Sequence, residues 1–73
     1  MRAAIHFRNT DATLETSNIT KIQIDGIDVS PSDLSLTNAS TITFFCQKPS
    51  NRSKDTFNSV VVKVDDIIAI ELR

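Results

Sequence analysis

One thiol and one imidazole, Cys46 and His6, are the only pair in this 73-residue sequence that could form a thiol–imidazole dyad. Such a dyad needs the two groups side by side on neighbouring strands, and their settings point elsewhere. Cys46 follows Phe44 and Phe45 in a strand-like run, the usual setting of a buried inert thiol, while His6 falls on the polar phase of its segment. A single cysteine also excludes an intrachain disulfide framework and an all-cysteine zinc site, and a single histidine excludes paired-histidine metal motifs. The carboxylates are scattered. Of Asp11, Glu15, Asp25, Asp28, Asp33, Asp55, Asp65, Asp66 and Glu71, only Asp65 and Asp66 are adjacent, and neighbours on an extended chain point to opposite sides. They read as a charged turn between two apolar strands. Asp25-Gly26-Ile27-Asp28 lacks the dense oxygen ligands of a calcium loop, and one glycine cannot build a glycine-rich phosphate cradle. The expectation is a protein that is not an enzyme and carries no cofactor or metal.

Recognition has a better local case. Lys48, Arg52 and Lys54 alternate with Ser50 and Ser53 in the stretch 47–55, and cations interleaved with hydroxyls suit phosphate. The same stretch reads more readily as a solubilising loop tip, and it holds no aromatic side chain on which a base could stack. Eight Lys and Arg against nine Asp and Glu leave a net charge of −1, so no basic field draws in nucleic acid or an anionic membrane. Nucleic acid is therefore the alternative partner rather than the leading one. The sequons at Asn18, Asn38 and Asn51 are read as coincidence in a chain rich in Ser and Thr.

The elements that must carry these residues are strands. Ile, Val, Thr and Phe dominate the palette, and apolar side chains recur with period two. Ala3, Ile5 and Phe7 alternate with Ala4, His6 and Arg8; Asn9-Thr10-Asp11 turns the chain; Ala12, Leu14 and Thr16 then return it as a hairpin. Thr20, Ile22 and Ile24 share one face of the next strand, and Asp25-Gly26 is a tight turn leading into Ile27-Asp28-Val29. Ser30-Pro31-Ser32-Asp33 resembles a helix start, with Ser30 as cap and Asp33 reaching back, but Thr37-Asn38 allows at most one helical turn near residues 31–36. Ile42, Phe44 and Cys46 share a face of a fifth strand. Val60, Val62 and Val64 pair with Ile68, Ile70 and Leu72 as two adjacent closing strands.

The fold class expected is all-β, a single small domain spanning 1–73. Five or six short antiparallel strands make a barrel-like roll, the preferred form, or a two-layer sandwich. Phe45, Val61, Ile67 and Ala69 fall on the phase opposite the core. These four are the candidate interface. A chain this short has a core worth only about 3–5 kcal/mol, so self-association or a heterologous protein partner is a physical expectation.

In the runs Ile5-His6-Phe7-Arg8-Asn9, Asn18-Ile19-Thr20-Lys21-Ile22-Gln23-Ile24-Asp25-Gly26 and Val64-Asp65-Asp66-Ile67-Ile68-Ala69-Ile70-Glu71-Leu72, the chain resembles small all-β proteins of Gram-positive prophages and mobile elements. The resemblance covers about half of the sequence and implies a host-interaction, regulatory or assembly role without assigning a residue. With no apolar run of transmembrane length, no secretory h-region and a reducing cysteine usage, a cytoplasmic location is expected. The functional expectation is a non-enzymatic protein–protein interaction or assembly module that self-associates.

Overall fold

Alternating side chains become seven strands among the described residues, which in the computed structural model are 1–47 and 59–73. The strands are β1 (Ala3–Phe7), β2 (Thr13–Thr16), β3 (Ile19–Ile24), β4 (Ile27–Val29), β5 (Thr41–Cys46), β6 (Ser59–Lys63) and β7 (Ile67–Leu72). They form two antiparallel sheets, of three strands in the order β2-β1-β7 and of four in the order β4-β3-β5-β6. Ala3, Ile5 and Ile67 from the first meet Ile19, Ile22, Ile42, Phe44 and Val62 from the second in one core. Phe44, Ile5, Ile22 and Ile42 are essentially fully buried, each stabilising the sandwich by about 1.5–3 kcal/mol relative to an exposed side chain. Among the described residues no polar or charged side chain is buried, so the interior is held by apolar packing alone.

The all-β class is therefore as expected, but the described residues form seven strands rather than five or six, because β4 after the Asp25-Gly26 turn is a separate short strand, and the form is a two-layer sandwich rather than a closed barrel. The closing strands show why. β6 and β7 were expected to pair, yet they belong to different sheets. A single 3-10 turn, Val64–Asp66, swings the chain from one layer to the other. Its entry is fixed by the Val64 N–H donating to the Ser40 carbonyl (2.9 Å), its exit by the Arg8 N–H donating to the Asp66 carbonyl (2.9 Å). That second bond lays β7 along β1, where Ile70 meets Ile5 and Leu72 meets Ala3.

Two irregularities change which side chains face the core. Between β1 and β7 the register runs His6 to Ala69 and then Phe7 to Ile67, leaving Ile68 as an extra residue. Between β3 and β5 it runs Lys21 to Phe45 and then Ile19 to Cys46, leaving Thr20 extra. Each is a β-bulge, and each reverses the phase of the strand beyond it. Ile67 and Ile19 are thereby turned inward, 4% and 6% exposed, while Ile68 and Thr20 face solvent. The expectation that Ile67 belongs to an outward set is corrected, as is the inward placement of Thr20 and Ile68.

The Asp25-Gly26 turn forms as expected. Both residues have positive φ, 52° and 83°, the requirement of the two-residue type I′ hairpin that joins Ile24 to Ile27. The Asp25 carboxylate also accepts from the backbone N–H of Thr41 (2.9 Å) and of Ser40 (3.0 Å), pinning this turn to the start of β5. Those bonds, Thr41 first, hold its carboxyl below the usual range. The helical turn near 31–36 is a short 3-10 turn, Pro31–Asp33. Ser30 does not cap it with its side chain; its hydroxyl instead lies 2.9 Å from that of Ser32. No helix among the described residues is long and apolar enough to cross a membrane.

Candidate functional site

The outer faces of the two sheets differ in what they offer. On the three-stranded sheet, the alternation of β1 puts Ala4 and His6 outward. The register places Glu15 and Glu71 on either side of Ala4, and Thr13 and Ala69 on either side of His6. His6 is consequently bracketed. Its Nε2 lies 3.1 Å from Glu71 Oε1 and its Nδ1 3.4 Å from the Thr13 hydroxyl. Arg73 donates to the other oxygen of Glu71 at 3.1 Å. Arg73 first and His6 second hold the Glu71 carboxyl below the usual glutamate range.

A hydroxyl, an imidazole and a carboxylate in series resemble a nucleophilic relay in connectivity. Catalysis of that kind also requires donors aimed at a developing oxyanion and a site that excludes water. Here the row lies on an exposed sheet face, where backbone N–H groups lie in the plane of the sheet and are taken by the ladder. The arrangement acts as a polar clasp across β2, β1 and β7. Beside it, a shallow depression of about 270 Å³ is lined by Arg2, Ala4, Glu15, Thr16, Ser17, Glu71 and Arg73, among others. Two cations and two carboxylates balance there, so the hollow carries no net formal charge.

The thiol and the imidazole are not brought together. Cys46 is half-buried at the end of β5, its Sγ 3.1 Å from the Thr16 hydroxyl across the layers, whereas His6 contacts Glu71 on an outer face. Among the described residues no group of three or more His, Cys, Asp or Glu is placed to hold a metal ion.

The four-stranded sheet carries the apolar candidates. Phe45 and Val61 both point outward, because β5 and β6 keep their alternation and bury Ile42, Phe44 and Val62 on the other side. Val61 lies opposite Thr43, and Phe45 opposite Ser59, so the two side chains are diagonal neighbours on one surface. They are not equally available. Lys21 Nζ sits 4.5 Å from the centre of the Phe45 ring, and this cation–π cover leaves Phe45 half-buried. Val61 is 63% exposed on β6, an edge strand among the described residues.

The four interface candidates thus separate. Phe45 and Val61 share a surface, Ala69 is exposed on the outer face of the opposite sheet, and Ile67 is in the core. Lys48, Arg52 and Lys54, the candidates for phosphate contact, lie outside the described residues. The alternation argument misplaces Leu14, expected with Ala12 on the dry face of the second strand: it is exposed on the outermost strand β2, as is Ala12 just before it. Two other apolar residues that it misses are more exposed still. Ile27 is 69% exposed just after the type I′ turn, and Ile68 is 63% exposed at the bulge. The Asp-Gly pair signals Ile27, and the unpaired apolar spacing Ile67/Ile70 signals Ile68. The clasp of His6 by Glu71 joins residues far apart in sequence, and nothing local announces it.

Comparison of the chain with protein-family models, with curated protein sequences and with solved structures returned no match.

Proposed function

We propose that the protein is a non-enzymatic interaction or assembly module that works by self-association at the β6 edge of its four-stranded sheet, with the outward-facing Val61 at that edge. The observation that carries this reading is Val61, a large aliphatic side chain 63% exposed at the centre of edge strand β6, diagonal to Phe45. On the three-stranded sheet the comparable edge carries the Glu71–His6 and Glu71–Arg73 contacts, and its exposed Ile68 sits at a bulge. An apolar residue beside unpaired backbone groups is where a second chain adds most favourably, because burying it and pairing the edge happen together. The small core supplies a motive, since association adds buried area that a chain of this size lacks. The resemblance to small prophage proteins agrees with an assembly or regulatory role and adds no residue to the argument.

The test is molar mass by light scattering over a wide concentration range, at low and high salt, for the parent chain and Val61→Asp. The reading expects an oligomer that Val61→Asp dissociates while the circular dichroism stays that of a β protein. A parent chain that stays at 8.1 kDa throughout removes it. Binding to DNA or RNA that weakens log-linearly with salt, and is lost when Lys48, Arg52 and Lys54 are neutralised, would put the nucleic-acid role in its place.

A further inference from the structure

We propose that β6 pairs antiparallel with β6 of a second copy of this chain, about a two-fold axis passing beside Val61, so that two four-stranded sheets become one continuous sheet. This rests on the self-association reading and specifies its geometry. The backbone phase supports it from two sides. Val64 N–H bonds to Ser40, which marks residues 60, 62 and 64 as the members of β6 whose backbone groups point to β5. Asp25 N–H bonds to Thr41, which directs residues 41, 43 and 45 to β3 and leaves 40, 42 and 44 for β6, in agreement. The N–H and C=O groups of Ser59, Val61 and Lys63 therefore point away from the sheet. Among the described residues they meet no backbone partner on that side.

The sequence Ser59-Val60-Val61-Val62-Lys63 is complementary to its own reverse. With Val61 opposite Val61 of the second copy, Val60 faces Val62 on the core side, and Lys63 faces Ser59 on the outer side. No like charges meet, and every backbone group on the free edge finds its mate. The other long edge does not offer this. β7 has Ile68 bulged and carries Glu71, features that obstruct edge pairing.

The test uses the full chain in a Cys46→Ser background, in which the serine hydroxyl keeps a polar partner for Thr16. Residues facing each other in a hydrogen-bonded antiparallel pair have Cα atoms about 5.5 Å apart, within the span a disulfide bridges. Val61→Cys is expected to form a disulfide-linked dimer on mild oxidation. Ser59→Cys and Lys63→Cys are expected to remain single when each is alone and to cross-link when mixed. Independently, Ser59→Lys is expected to weaken the dimer about fivefold and Ser59→Glu to tighten it about fivefold, since each acts twice across the axis against Lys63. Ile68→Asp is expected to leave the mass unchanged. Light scattering on the same background separates the failures. A dimer of about 16 kDa in which Val61→Cys does not cross-link overturns the β6 pairing and leaves self-association standing. A monomer at every concentration overturns both.

Discussion

Strands β6 and β7 follow one another in the chain, are both rich in Val and Ile, and each lies at an edge of its sheet, yet they present different surfaces to solvent. β6 keeps strict alternation, so Val62 enters the core, Val61 faces out and the edge stays flat. β7 breaks its alternation at Ile68, so Ile67 and Ile70 both turn inward and the edge is distorted. The lesson is that exposure of an aliphatic residue follows the register imposed by the partner strand, not the composition of its own. The same bulge that feeds the core also blunts an edge that would otherwise invite pairing.

The sharpest way to break the comparison is the same substitution on both strands. Ile67→Asp is expected to unfold the chain, because an unpartnered carboxyl in the core costs on the order of the ~3–5 kcal/mol that a core of this size supplies. Val61→Asp is expected to leave the far-ultraviolet circular dichroism and thermal midpoint of the monomer little changed. Equal loss of structure in both would mean that β6 is not the exposed strand described. Truncation tests the bulge with a smaller effect. Ile67→Ala is expected to destabilise by about 2–5 kcal/mol in urea titration, and Ile68→Ala by no more than about 0.5 kcal/mol.

Deleting Ile68 sharpens the contrast from the other side. The deletion keeps Ile67 opposite Phe7 and restores an unbroken ladder, so the chain is expected to fold and to acquire a second flat edge. Higher-order association in sedimentation velocity, absent from the parent, is the expected result. The smallest effect is electrostatic and belongs to β7 alone. Glu71 has its carboxyl depressed by Arg73 and His6, so the native state holds fewer protons there than the unfolded chain does. Its contribution is present above the ordinary glutamate range and is lost as acidification passes through the depressed native value. Glu71→Gln is expected to flatten the acid limb of a stability–pH curve without altering association through β6.

Much of the sandwich is legible in the residues. The phases of β1 and β5 follow from Ala3, Ile5 and Phe7 and from Ile42, Phe44 and Cys46, where one residue per step holds throughout. Asp25-Gly26 announces its turn because few other pairs accept positive φ at both positions. The bulges are not legible by alternation, because an extra residue is defined by the strand opposite. In retrospect, Ile19 and Ile22, like Ile67 and Ile70, are separated by three, a spacing that two-residue periodicity cannot place on one face unless a bulge intervenes. The same limit governs the site. Val61 and Phe45 fall on one surface by simple alternation and were readable; the clasp of His6 by Glu71 depends on which strand the chain's far end selects.

That selection also sets an order of events in time. The four-stranded sheet is drawn from an uninterrupted stretch, 19–63, whereas β1 sits between β2 and a strand reached only at Ile67. Before β7 is in place the three-stranded layer consists only of the β1–β2 hairpin, which on its own is marginal in water. Closure of so distant a pair places folding in the slow range of small β proteins, about milliseconds to seconds. Until Ile67–Leu72 arrives, β1 is an open edge with Ile5 uncovered on the side that β7 comes to occupy.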